Sequence, residues 1–256
     1  MTKSLLALAS LLALSVLTTP VQAADDPLTF SATVVSDYRF RGISQTRLKP
    51  ALQAGIDYAL PGGFYVGAWG STIRWIRDVG RITGVDTGNA PVELDFYGGH
   101  KGTLSPGLGY DVGLLQYYYP RNDLSNVPGA HSPNTLEVYG ALSVGPAVVK
   151  YSHALTRLFG VNDSRGSGYL EAGANFDVGG GVTLTPHIGY QRVRNNSDYS
   201  YTDYSLTAAK DWYGLTFSAA VVGADTKDIS GAPAYASPTG RDIGRIGLVV
   251  AVKKTF

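Results

Sequence analysis

From Leu28 onward, apolar and polar residues alternate along the chain with a period of two. Val92, Leu94 and Phe96 alternate with Glu93, Asp95 and Tyr97, and Leu136 and Val138 with Glu137 and Tyr139. Leu170, Ala172, Ala174, Phe176 and Val178 alternate with Glu171, Gly173, Asn175 and Asp177. Leu184 and Ile188 alternate with Thr185, His187 and Gln191, and Ile246, Leu248, Val250 and Val252 share one face near the end. This is the period of a strand, whose successive side chains point to opposite sides. Twelve such segments begin near Leu28, Ala51, Phe64, Pro91, Leu108, Asn134, Pro146, Gly168, Val182, Tyr201, Leu215 and Arg241, each about ten residues long, the length of a tilted membrane-crossing strand.

The connections alternate as well. Those after odd-numbered segments span roughly 9, 15, 14, 10, 8 and 17 residues, whereas those after even-numbered ones span roughly 2 to 6, among them Pro61-Gly62-Gly63 and Gly179-Gly180-Gly181. All tight turns then lie at one end and all long loops at the other. This predicts an all-β fold, an up-and-down antiparallel transmembrane β-barrel of about 12 strands with short periplasmic turns and long extracellular loops.

Alternation does not say which face meets lipid, because a soluble lipid-binding barrel carries its apolar face inward. Three features favour apolar outward. Twelve strands enclose too wide an interior for apolar side chains to fill. The polar face carries about a dozen charges that a dry core would not hold. Aromatic residues gather at strand ends, as in the girdles of membrane barrels: Tyr38, Phe40, Phe64, Tyr65, Trp75, Tyr118, Tyr201, Trp212 and Tyr213.

Composition agrees. Only 16% of the 256 residues are charged, against roughly a quarter in a soluble domain. The 32 Gly disfavour a helical bundle, since Gly costs about 1 kcal/mol per helix position, and 44% hydrophobic content with net charge +1 disfavours disorder and a nucleic-acid partner. The absence of Cys excludes disulfide scaffolds and Cys-ligated zinc or haem. Gly67, Gly70, Gly98, Gly113, Gly140, Gly173, Gly189 and Gly247 fall within strands, where Gly marks bends or keeps a lumen clear.

Residues 1–23 read as a signal peptide: Lys3 supplies the positive region, residues 5–17 an apolar run of 13, and Val21 and Ala23 the small residues before cleavage. The run is shorter than the ~18–20 residues of a spanning helix. Residues 24–256 are then the barrel, with 20 basic and 20 acidic residues.

The segment Ser36-Asp37-Tyr38-Arg39-Phe40-Arg41-Gly42-Ile43-Ser44-Gln45 resembles the start of the TorF-type porins, long catalogued as Gcw_chp, conserved proteobacterial proteins of unknown function. The likeness extends through Pro50 to Tyr58, Gly63 to Trp69, Val92 to Gly99, Tyr110 to Gly113, Tyr117 to Pro120 and Glu137-Val138-Tyr139. It implies a location in the bacterial outer membrane and a pore, but no substrate. The terminal Phe256 resembles the assembly signal by which the barrel-assembly machinery recognises outer-membrane barrels.

Strand parity assigns Asp37, Arg39, Arg41, Asp57, Arg74, Glu93, Asp95, Asp111, Glu137, Lys150, Glu171 and His187 to the lumen. Mixed charges on facing walls set a transverse field and a size limit for small hydrophilic solutes; alternatively they pair and plug a narrow barrel, leaving a structural or adhesive protein. The first long loop, residues 41–49, carries Arg41, Arg47 and Lys49 without a carboxylate, a field for anionic solutes or lipopolysaccharide phosphates unless it is an ordinary solvated loop. An enzyme is disfavoured. Barrel phospholipases place Ser and His on one strand face, and none of His100, His131, His153 and His187 has Ser two residues away. No metal spacing, phosphate loop or cofactor motif appears. Outer-membrane lipid is the expected surrounding, and a monomer and a trimer both fit.

Overall fold

The structure, a computed structural model, describes residues 27–256; the segment read as a signal peptide lies outside the described residues. Twelve antiparallel strands form one closed barrel. They are β1 (Leu28–Val35), β2 (Ala51–Ala59), β3 (Phe64–Thr72), β4 (Val92–Ser105), β5 (Leu108–Tyr118) and β6 (Thr135–Val144), followed by β7 (Ala147–Ala154), β8 (Gly168–Ala174, resuming as Phe176–Asp177), β9 (Val182–Arg192), β10 (Tyr201–Trp212), β11 (Leu215–Asp225) and β12 (Gly247–Thr255). Each strand pairs with its neighbours in sequence. The seam closes where β1 meets β12, with Ser31 opposite Thr255 and Val35 opposite Ala251, so the sheet has no free edge to recruit another chain. The last strand begins at Gly247, not near Arg241; residues 241–246 belong to the preceding loop.

Tight turns at residues 60–63, 106–107, 145–146, 178–181 and 213–214 crowd one end. Long loops at residues 36–50, 73–91, 119–134, 155–167, 193–200 and 226–246 crowd the other. The second long loop carries one helix, α1 (Trp75–Thr83). No helix among the described residues is long and apolar enough to cross a membrane.

The two faces of the wall divide as the alternation requires. Phe30, Val34, Leu52, Ile56, Phe96, Val112, Leu114, Leu170, Ile188, Leu206, Leu248 and Val250 point outward and are exposed. Their neighbours point inward, and toward the loop end nearly all of them are buried. A soluble protein with this outer wall would present far more contiguous apolar surface than the few hundred Å² that monomers ordinarily show.

The interior at the loop end is filled, contrary to the picture of a wide wet tube. Val35, Ala51, Ala220, Val222, Val249 and Ala251 from the walls meet Tyr38 of the first loop, Ile73, Ile76 and Ala90 of the second, and Tyr117 and Tyr119, forming a compact apolar cluster. Chain that leaves the wall and folds back inside supplies the volume that wall side chains alone leave open.

Candidate functional site

The first long loop builds the centre of this interior. After Val35 the chain turns inward and forms a two-residue hairpin, in which Arg39 pairs with Ser44 and Phe40 with Ile43. Its turn residues Arg41 and Gly42 have φ of 46° and 78°, the doubly left-handed conformation that matches the twist of a tight hairpin. Gly42 is also required by space: a Cβ there would lie 2.8 Å from the Asp203 Cβ and 2.9 Å from the Gly223 carbonyl oxygen. The tip therefore sits against β10 and β11.

From that tip Arg41 reaches across the barrel. Its Nη2 lies 2.7 Å from Glu137 Oε2 and its Nη1 3.1 Å from Oε1, a bidentate fork to β6; Nη1 also donates to Gln191 Oε1 of β9 at 2.6 Å. The guanidinium stacks on the Tyr169 ring at 4.2 Å and on Phe40 at 4.8 Å. Burial alone would lower the Arg41 pKa, but the Glu137 carboxylate outweighs it and holds the group above its ordinary value.

The rest of the hairpin is pinned with similar care. Arg39 Nε donates to Asp37 Oδ2 at 2.5 Å, and its Nη1 donates to the carbonyls of Gly42, Ile243 and Arg245. Ser44 and Thr46 hydroxyls donate to Asp37 Oδ1. The Tyr38 hydroxyl donates to Glu93 Oε1 of β4. Phe40 packs edge-on against Tyr117 and Phe159. Arg47 forms an ion pair with Asp78 of α1, joining the first loop to the second.

Below the hairpin a second polar group occupies the wall. Lys150 stands opposite Glu171 in register, with its Nζ 4.5 Å over the Tyr139 ring. His187 Nε2 lies 3.2 Å from Glu171 Oε2, and its Nδ1 is 3.6 Å from Asp203 Oδ1. The Tyr169 hydroxyl donates to Asp203. Asp111 accepts from Tyr65, whose hydroxyl also meets that of Tyr139. Nearer the tight turns the interior opens: Asp57 is exposed and accepts from the Tyr97 hydroxyl.

The residues named from parity thus fall into three sets. Asp57, Glu93, Asp95, Asp111, Glu137, Lys150, Glu171 and His187 project inward from strands β2 to β9. Asp37, Arg39 and Arg41 lie inside, but on the inward-folded first loop, because the strand ends at Val35. Arg74 departs from the expectation altogether: it precedes α1 in the second loop and is exposed, since the strand ends at Thr72. We expect Arg74→Glu to leave ion selectivity unchanged, measured as the reversal potential across a salt gradient in a planar bilayer.

The aromatic assignments need more correction. Phe64, Tyr118, Trp212 and Tyr213 are exposed on the outer wall or its turns. Tyr38, Phe40, Tyr65, Trp75 and Tyr201 are not girdle residues. Tyr38 and Tyr201 are buried inside, Tyr65 points inward to Asp111, Phe40 packs within the plug, and Trp75 packs against Tyr119. The Tyr38 and Tyr65 hydroxyls meet the carboxylates of Glu93 and Asp111 rather than headgroups. Tyr139, Tyr169, Gln191 and Asp203, outside the lumen set, share the parity of the interior carboxylates, which for Tyr139 and Gln191 was visible in the alternation itself. The first loop is likewise no open basic field, since Arg41 is buried against Glu137 and Arg47 is paired with Asp78.

The interior glycines and tyrosines are partners. Tyr97 closes over Gly67, Tyr65 over Gly99, Tyr139 over Gly113 and Tyr169 over Gly189, each ring occupying the space a Cβ on the glycine would need. Glycine here admits the close approach of a neighbouring ring. Phe256 pairs through its backbone with Phe30 while its ring is exposed. Among the described residues no group of three or more His, Asp or Glu could hold a metal.

Comparison with known proteins places this architecture. No curated protein matches the sequence. The chain is similar in structure to the KdgM porin in complex with disordered oligogalacturonate, with a TM-score of 0.53 at 8% identity over 90% of this chain and 98% of that one. It is also similar to the NanC porin, with a TM-score of 0.51 at 9% identity over 89% of this chain and 98% of that one. At such identities the likeness is one of fold. The model of a family described as bacterial protein of unknown function, Gcw_chp, matches residues 21–256, so the chain belongs to the Gcw_chp family.

Proposed function

We propose that this protein is a porin-type channel of the bacterial outer membrane, passing small hydrophilic solutes by passive diffusion through a narrow polar lumen. The observation that carries the reading is the inward-folded first loop, forked to Glu137 through Arg41 and set inside a barrel with an apolar outer wall. A protein that needed the barrel only as an anchor would have no use for a charged, hydrogen-bonded constriction. In this orientation the tight turns and both ends of the barrel chain face the periplasm, and the long loops face outward. The likeness of the first-loop segment to TorF-type porins supports the same reading, as does the porin fold of the structural neighbours. That one neighbour carries oligogalacturonate is a property of that protein. The interior here mixes Arg41 and Lys150 with Glu93, Asp95, Glu137 and Glu171 and has no surplus of positive charge to suit a polyanion. No catalytic arrangement is part of the proposal.

A second reading is favoured by one observation. Tyr38, Glu93, Glu137 and Tyr169 are at most 2% exposed, so the side chains around the seated hairpin are packed away from water. A permanently plugged, non-conducting barrel fits this as well as a channel that opens when the loop shifts. Planar-bilayer recording of the refolded chain separates them. We expect small, brief conductance steps from the native protein. Silence both in the native protein and in a variant with the first loop released would establish the plugged reading.

A further inference from the structure

The outer surface above β7, β8 and β9 carries a feature that a channel does not need. Tyr151, Leu170 and Tyr190 stand side by side in register on these strands, all outward and about half exposed. Two residues further toward the loops, about 7 Å along the strands, the same register brings together His153, Gly168 and Arg192. Beyond them the fourth and fifth long loops enclose an open cleft of about 510 Å³, lined by Leu155, Thr156, Arg157, Asp163, Arg165, Arg194 and Asn195.

Arg157, Arg165, Arg192 and Arg194 are all exposed, and among the described residues none has a carboxylate within ion-pair distance. Asp163 is the one acidic lining residue. The floor is built, not loose. The Asn195 side chain donates to the Asp163 carbonyl, the Asn196 side chain to the Asn162 carbonyl, and the Arg194 backbone N–H to Ser167 Oγ. The Arg194 guanidinium donates to the Arg165 carbonyl and lies over Gly166, where a Cβ would come within 3.1 Å of it. A guanidinium fork favours bidentate binding of phosphate, and that of Arg194 is already held in place.

We propose that this cleft binds the phosphate groups of a phosphorylated lipid of the surrounding leaflet. The chemistry alone would also suit a free phosphate. The position decides for a lipid: an aromatic and apolar row lies directly beneath the cations, where acyl chains end and headgroups begin. The inference rests on the outer wall facing lipid, as the proposed function has it, but not on an open lumen.

The test uses the full chain refolded in uncharged detergent and native mass spectrometry. The probes are bisphosphorylated lipid A, the same lipid A dephosphorylated, and inorganic pyrophosphate. We expect retention of the bisphosphorylated lipid alone, weakened at least about tenfold by the combined R157S, R165S and R194S changes. Exposed R74S with R81S on the second loop is expected to have no effect. Equal retention of the dephosphorylated lipid, or an unchanged triple variant, would overturn the proposal, and pyrophosphate held as tightly as the lipid would overturn its lipid part. Salt titration of the native protein asks the question without a variant: retention that falls steeply with ionic strength supports the site, and retention indifferent to salt sinks it. Insertion into zwitterionic vesicles is read in parallel. Failure there removes the membrane reading itself, whereas insertion without lipid A retention removes only the cleft.

Discussion

Arg41→Ala is expected to convert small, brief conductance steps into larger and longer ones, and to destabilise the barrel. Among the described residues, the guanidinium is the one group that ties the first loop at once to β6 and β9. Removing it cuts the fork to Glu137, releases Gln191 and withdraws the stacked cation from Tyr169. It also leaves Glu137 buried without its cation, and breaking a buried pair from one side costs about 3–5 kcal/mol. The hairpin then has reason to leave the lumen, because Glu137 regains water when it does. Single-channel recording reads the conductance, and the urea midpoint in detergent micelles reads the stability. Combining Arg41→Ala with Glu137→Gln should recover much of the lost stability, because no buried carboxylate is left unpaired, while conductance stays raised. A native-like conductance in both variants would show that the hairpin is not the constriction.

The second large effect concerns a glycine. Gly189→Ala is expected to cost about 1–3 kcal/mol, the usual range for overpacking a filled core. The new methyl would overlap the Tyr169 hydroxyl and lie 2.8 Å from Asp203 Oδ2. Tyr169 is 1% exposed and Arg41 is stacked on its ring, so the ring has no space to retreat into. Gly140→Ala is the control on another strand. There a Cβ would meet only Val112 Cγ1, at 3.9 Å, and the change is expected to be neutral or to stabilise by about 0.4–1 kcal/mol through the unfolded chain. Urea titration of both variants checks the contrast. Equal losses would mean that the cost comes from the backbone of the strand and not from the tyrosine.

These variants mark what was legible in the sequence. Period-two alternation located the strands because lipid on one side and a polar interior on the other force it at every position. The spacing of the breaks then gave the order of turns and loops. The same parity placed Glu93, Glu137, Glu171 and His187 on the inner face, since each lies in mid-strand between outward apolar residues. At strand ends it did not show the path of the chain. Asp37, Arg39 and Arg41 continue the alternation of β1, yet the chain has already left the wall, and nothing in a period of two distinguishes a strand in the wall from a hairpin folded inside it. Arg74 was misplaced for the same reason. The tyrosines failed differently. A ring with a polar tip suits a headgroup layer and a buried carboxylate equally well, and only the position of the cross-strand glycine tells Tyr65 or Tyr139 apart from a girdle residue.

The contacts of the hairpin also set a chronology. The wall is made of strands adjacent in sequence, so most of its pairings are local, with a single distant closure between β1 and β12. The first loop follows another clock. Arg39 is held by the carbonyls of Ile243 and Arg245, and Gly42 rests on Asp203 and Gly223. The hairpin therefore has no complete seat until the strands around those residues are in place. Seating the hairpin thus requires the whole wall: a barrel without its last strands would hold this loop by only part of its contacts.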